Sequence, residues 1–181
     1  MAWSVYESPL GPLTLVGGEA GLRELHFPER TPILGPTDRD PDALRDVREQ
    51  LAQYFAGERD AFELQLDLSG TAFRRRVWRA LQALPYGAVT TYGALAGELG
   101  IRDSGTLVTG ADPVTAAQKV AWAVAATPTP IVVPCHRVLG ADGSLTGYRG
   151  GLWRKRALLD FEAAGATPRE PRIHDGQLAL L

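Results

Sequence analysis

The sequence predicts an α+β protein: a small β-rich N-terminal domain, then a mainly helical C-terminal domain that carries a helix-turn-helix-like element. Three observations predict it. Apolar residues alternate through the first 30 residues around a Gly-rich turn. From Ser69 the apolar spacing changes to that of a helix. Two short helical patterns then follow one another between Tyr92 and Ala126, as in a helix-turn-helix, although their connection is long for one. The reading divides the chain into 1–68, 69–165 and a tail, 166–181.

The elements follow in order. Leu13–Val16 and Leu22–Phe27 read as strands separated by GGEAG, Pro28 ends the second, and TPILGPTDRDP is a loop. Asp40 as cap and Pro41 at the first helical position open a helix whose Leu44, Val47, Leu51, Tyr54 and Phe55 share a face, with Gly57 as its stop. FELQLDL, Phe62 to Leu68, alternates and reads as one more strand. In TAFRRRVWRALQAL, Phe73, Val77, Leu81 and Leu84 form one helical face, and Arg74, Arg75, Arg76 and Arg79 occupy the others. After the turn PYG, Tyr92, Leu95, Ala96 and Leu99 mark a short helix. The stretch GIRDSGTLVTGA reads as a loop. Asp112 and Pro113 then offer a cap and a first-turn proline for VTAAQKVAWAVAA. No internal repeat is visible. Beyond Ala166 periodicity is lost, and the segment reads as a tail with one docked apolar end.

Composition narrows the function classes. A chain of 181 residues, 45% hydrophobic and 22% charged, is an ordinary globular protein with a real core. No apolar run reaches the roughly 18 residues of a membrane span, and MAWSVYESPL has no secretion-signal pattern, so a cytoplasmic protein is expected. A single cysteine forms no internal disulfide, and His26, His136 and His174 have no zinc-ligand spacing, so no metal is expected. The net charge of −2 is uneven. Between Thr71 and Glu162 there are 11 Lys+Arg against 6 Asp+Glu, and the remainder has 8 against 15. A basic half of this kind suits an anionic partner, and equally an ordinary solvated surface.

The chemistry-bearing stretch is IVVPCHRVLG, Ile131 to Gly140. A lone cysteine is more often a small buried hydrophobe than a nucleophile. Here prolines at 128, 130 and 134 stiffen the approach to Cys135, and His136 and Arg137 follow at once, neighbours that favour a thiolate. The Gly-rich run GADGSLTGYRGG next to it permits close backbone approach to a ligand and carries Tyr148.

PCHRV at 134–138, GYRGGL at 147–152 and LLDFE at 158–162 together resemble the O6-alkylguanine-DNA alkyltransferase family, strongly over residues 71–165 and loosely before them. The resemblance implies a stoichiometric DNA-repair reaction. An alkylated guanine is flipped out of duplex DNA, and its O6-alkyl group passes irreversibly to the cysteine, without cofactor or metal. It implies a monomer acting on double-stranded DNA. Residue by residue, it makes Cys135 the acceptor, His136 the base acting through a water, Glu162 the group that orients His136, and Tyr92 the aid to the leaving guanine or its phosphate. Tyr148 would pack on the extruded base, with Val138, Gly150 and Gly151 beside it. The second helix would dock in the minor groove through Thr115, Ala116, Ala117, Gln118, Lys119 and Trp122. Arg137 and the basic residues 74–76 and 154–156 would stand near phosphates.

The chain departs from that pattern in four places. Gln118 stands where the family has an arginine that fills the space of the flipped base, and Thr127 stands where it has asparagine. About a dozen residues, 101–111, are extra. Trp122 projects opposite Val120 and Val124, where the family has a small residue. It is either an apolar wedge in the base stack or a side chain buried by the inserted loop. Two further readings stay open: a lesion sensor with weak or no transfer, which Gln118 and Thr127 allow, and a cysteine hydrolase, which only the residue types Cys135, His136 and Glu162 support.

Overall fold

The computed structural model describes residues 1–104 and 113–164, together with two backbone segments in the tail. The N-terminal half is an antiparallel sheet of β1 (Ala2–Ser8), β2 (Gly11–Gly18) and β3 (Gly21–His26), in the order β1-β2-β3. The predicted strands are β2 and β3, and β1 is a third. Its inward positions carry Ser4 and Tyr6 rather than aliphatic residues. Ser4 is buried by donating its hydroxyl to the Ala43 carbonyl, and Tyr6 stacks on Phe55. An inward serine leaves no hydrophobic alternation to read. Gly21, at φ +103°, turns β2 into β3 where a Cβ would meet the Gln65 carbonyl at 2.1 Å.

Helix α1 (Arg45–Phe55) begins four residues later than Asp40 and Pro41 predict. Asp40 instead closes a turn, its carboxylate accepting from Asp42 N, and Leu44 stands before the helix in the left-handed region. Four of the five residues of the expected apolar face, Val47, Leu51, Tyr54 and Phe55, are buried on the helix, and Leu44 precedes it. FELQLDL is extended but bridges β3 through Leu66 alone, with Leu22 N donating to Gln65 O and Asp67 N to Leu22 O. Its alternation reflects leucines packing on the core, without a ladder.

Helix α2 (Ala72–Gln82) is capped by Thr71, and α3 (Tyr92–Glu98) by Thr91. The short strand β4 (Thr90–Thr91) precedes α3 and pairs in parallel with β5 (Val138–Leu139). Helix α4 (Ala116–Ala125) starts at a capping box, in which Thr115 Oγ1 accepts from Gln118 N and Gln118 Oε1 from Thr115 N. The predicted proline start is displaced. Pro113 lies before the helix, and Asp112 lies outside the described residues. Helices α3 and α4 pack on each other, and Trp78 Nε1 ties α2 to α4 through the Ala123 carbonyl at 2.9 Å. Helix α5 (Leu152–Ala164) closes the half, and β6 (Arg172–His174) with β7 (Gln177–Ala179) forms a hairpin in the segment read as a tail.

Two apolar clusters hold these layers. One lies under α2, α3 and α4, around Val77, Trp78, Leu81, Leu95 and Val120, and reaches Cys135. The other joins the two halves. Sheet and α1 residues such as Leu13, Leu51 and Phe55 pack with Ile131, Val132, Leu158 and Phe161 from beyond residue 130.

Candidate active site

The stiff segment read from the prolines ends in a single 3-10 turn, Cys135–Arg137, at the meeting point of both clusters. Ile131, buried and at φ +76°, turns the chain into it. A β-branched residue in that region costs of order 1–3 kcal/mol, a strain held here by burial. Cys135 is 5% exposed and His136 fully buried.

His136 Nε2 lies 2.9 Å from Glu162 Oε1 on α5. Because the carboxyl is ionised, Nε2 carries the proton and donates it, and Nδ1 is left as the ring's acceptor. Nδ1 is buried without a protein partner among the described residues. Glu162 collects four more donors. Tyr54 Oη and Arg137 Nη2 donate to Oε1 at 2.8 Å each, and Arg137 Nε at 2.8 Å and Gly87 N at 3.3 Å donate to Oε2. Burial alone would raise its carboxyl, but the hydrogen bonds from His136 and Arg137 outweigh it and bring the pKa down to about 2. Burial pushes His136 below its ordinary value against the pull of Glu162, so the ring is neutral. Burial raises the Cys135 thiol to about 11, which Thr127 and Lys155 only partly offset. The expectation that neighbouring basic residues hold a thiolate is therefore corrected: the free protein carries a thiol. The Thr127 hydroxyl gives its one proton to Val124 O at 2.7 Å, so it must rotate to serve the sulfur.

In front of the thiol lies a cleft of about 930 Å³. Tyr92, Gln118, Trp122 and Tyr148 line it, with the small face Ala117, Ala121 and Ala125 of α4 and three arginines, Arg30, Arg74 and Arg149. Among the described residues no carboxylate lines it. A hollow of about 10 Å³ bounded by Cys135 shares Ala125, Gly147, Tyr148 and Arg149 with the cleft. The Tyr92 oxygen accepts from Thr146 Oγ1 at 3.1 Å, which leaves its own proton free to donate. The Tyr148 hydroxyl is buried without a protein partner among the described residues, its ring edge-on to Phe27.

The remaining expected site residues are engaged as follows. Arg137 is buried, with its guanidinium bidentate on Glu162 and Nη1 on the Leu84 carbonyl, so it faces away from any phosphate. Gly150 packs under Phe27, where a Cβ would come within 2.5 Å of the ring, and so serves the joint between the halves. Gly151, at φ +85°, makes the turn into α5. Val138 is buried in β5, and its carbonyl accepts from Lys155 Nζ at 2.6 Å. Lys119 Nζ donates to Arg102 O, and Thr115 and Gln118 are engaged in the capping box, with Ala116 N on the Asp103 carboxylate. In the basic runs, Arg75 donates to Gly70 O and Arg76 to Leu99 O, each from an exposed head, whereas Arg154 is buried on Glu29, Leu10 O and Gly150 O and is not free for a phosphate. Trp122 is 62% exposed at the rim of the cleft, and residues 105–112 of the inserted loop lie outside the described residues.

Two residues of the centre are not expected there from the sequence: the basic run 154–156 places Lys155 among the phosphate contacts, and Tyr54 falls among the core residues of α1. Lys155 is fully buried, donates to Val138 O and Thr146 O, and lies near the thiol. Its spacing with Leu158 and Glu162, at i, i+3 and i+7 on α5, is a signal that could have found it. Tyr54 sits in a stripe that reads as plain core, and its acid partner is 108 residues away.

Comparison with known proteins gives concordant results. The family described as 6-O-methylguanine DNA methyltransferase, ribonuclease-like domain, matches residues 1–68, and its DNA binding domain matches residues 72–164. A relative from Mycobacterium tuberculosis named methylated-DNA–protein-cysteine methyltransferase is 44% identical over 162 residues, 88% of this chain and 91% of its own. One of the same name from Methanosarcina acetivorans is 38% identical over 167 residues, 91% and 99% of the two chains. The crystal structure of Mycobacterium tuberculosis OGT in complex with DNA superposes with a TM-score of 0.79 at 42% identity, over 92% of this chain and 95% of that one.

Proposed function

Since the chain belongs to the 6-O-methylguanine DNA methyltransferase family, we propose that it repairs DNA by moving an alkyl group from O6 of guanine onto Cys135, once per molecule. What supports Cys135 as the acceptor is its place next to His136 in one 3-10 turn, where the neutral imidazole is held by a carboxylate, close to an arginine-lined cleft.

The chemistry follows from that arrangement. A thiol with a pKa of about 11 is a poor nucleophile at neutral pH, so its proton must leave as the substrate arrives. His136 Nδ1 takes that proton through one water, and Glu162 holds the imidazolium that forms. The sulfur attacks the alkyl carbon, an S–C bond forms, and the C–O6 bond breaks with its electron pair going to guanine. The Tyr92 phenol gives the departing purine its proton. The product thioether has no proton to lose and no route back, which ends the cycle after one event.

An O6-alkyl group lies on the base-pairing edge, so the nucleotide must leave the duplex to reach the sulfur. The extruded base occupies the 930 Å³ cleft against Tyr148. To reach Cys135 it displaces the 147–149 segment that narrows the inner hollow. Arg30, Arg74 and Arg149 contact the backbone phosphates, and the alanine face of α4 permits close groove approach. The lesion-sensor reading is not favoured, because the relatives are named for transfer to a cysteine and this chain has Cys135, followed by a histidine held on Glu162. No observation favours the hydrolase.

The test is a duplex with O6-methylguanine inside a restriction site. The wild type restores cleavage, one site per protein molecule, and Cys135→Ser binds the duplex without restoring it. Restoration by Cys135→Ser would overturn the assignment.

A further inference from the structure

Glu162 is held from three directions, and one of them is the N-terminal half. Tyr54, on α1, is buried among Phe55, Phe62, Tyr86 and Phe161, with ring centroids 5.2–6.1 Å away. Its hydroxyl leaves this apolar cage in one direction, to Glu162 Oε1 at 2.8 Å. That is the oxygen on which His136 Nε2 rests. A buried phenol needs a partner for its hydroxyl, and here the partner is a relay member rather than a backbone carbonyl.

We infer that Tyr54 is a positioning residue of the transfer reaction: its hydroxyl, supplied by the N-terminal half, fixes the carboxylate that orients His136. The inference rests on the function proposed above and gives the first 68 residues a part in the chemistry. Without the Tyr54 donor, Oε1 keeps His136 and one Arg137 N–H. The carboxylate can then tilt, and its charge is less compensated. A less compensated carboxylate holds an imidazolium more tightly, so the ring gains its proton at higher pH. The other groups facing this centre are Tyr86 from the turn after α2, Arg137 from the 3-10 turn, Tyr148 from the Gly-rich segment and Lys155 from α5. All remain in place in Tyr54→Phe.

The experiment compares wild type and Tyr54→Phe in single-turnover transfer from an O6-methylguanine duplex across the pH range. Duplex affinity is measured in parallel, and thermal melting reports the fold. The variant keeps the ring and its four aromatic neighbours. Its duplex affinity stays unchanged and its methylation still runs to completion. The acid limb of its rate profile moves up by about half a pH unit, an approximately threefold slower transfer on that limb. The His136 ring titration, followed by NMR on histidine-labelled protein, moves in the same direction. Superimposable profiles and titrations on a fully transferring variant overturn this inference alone. A wild type that acquires no methyl overturns the proposed function and this inference with it.

Discussion

At the scale of single residues, the site separates groups that do chemistry from groups that look available for it. Cys135 is a protonated, buried thiol, and under the proposed mechanism its reactivity depends on His136 and waits for a substrate. Gln118 is not a free finger, since its carbonyl oxygen closes the capping box of α4. One turn further along the helix, Trp122 stands at the rim of the cleft, 62% exposed. Its neighbours Val120 and Val124 are buried, so its indole faces out as the helical spacing predicts. In that position an apolar side chain can enter the gap left by an extruded base. Trp122→Ala should weaken binding to an O6-methylguanine duplex about tenfold, on the scale of one base–aromatic contact. Its melting temperature should stay close to that of the wild type. Unchanged affinity and transfer rate in fluorescence titration and single-turnover kinetics would remove the wedge role.

At the scale of elements, legibility followed how each element is stabilised. Helices α2, α3 and α4 bury apolar stripes at helical spacing, and their faces were readable. Helix starts were less so. An Asp-Pro pair suggests a start twice, yet α1 begins after a left-handed Leu44 and α4 at Thr115, where a capping box satisfies more backbone donors than Asp-Pro could. Strand β1 was invisible because its core-facing serine is held by a hydrogen bond to residue 43, a contact that only the folded chain makes. The motifs point to Cys135, His136 and Glu162; the structure joins His136 to Glu162 and sets Cys135 in the same 3-10 turn as His136. The basic runs misled in part, although Arg74 does line the cleft. Arg137, Arg154 and Lys155 are spent on Glu162, on Glu29 and on backbone carbonyls, and sequence does not distinguish an arginine facing solvent from one facing inward.

At the scale of the whole molecule, the two halves share one apolar cluster and one ionic centre. Residues from α1, from the turn after α2, from the 3-10 turn and from α5 all meet at Glu162. Folding therefore builds the relay and the joint together, and stability must depend on pH through it. Glu162 has its folded pKa lowered to about 2 from an ordinary 4.5. The unfolded chain binds that proton first, so the stabilisation is complete above about pH 4.5 and is lost as pH falls towards 2. His136, also lowered, adds loss in the same direction below its ordinary 6.5. The carboxylate's part is of order 3 kcal/mol. Denaturant unfolding from neutral pH to pH 3 should record this decline in the wild type. Glu162→Gln should be less stable at neutral pH, because Arg137 is left buried without its counter-ion, and should decline less on acidification. Parallel declines in the two proteins would mean that Glu162 is not the linked group.

The most direct measurement weighs the protein itself. After incubation with excess O6-methylguanine duplex, intact-mass and peptide-mass spectra should show a gain of one methyl, confined to the peptide that contains Cys135, reaching a plateau at one equivalent. No gain, a methyl on another residue, or continued turnover beyond one equivalent would contradict the account.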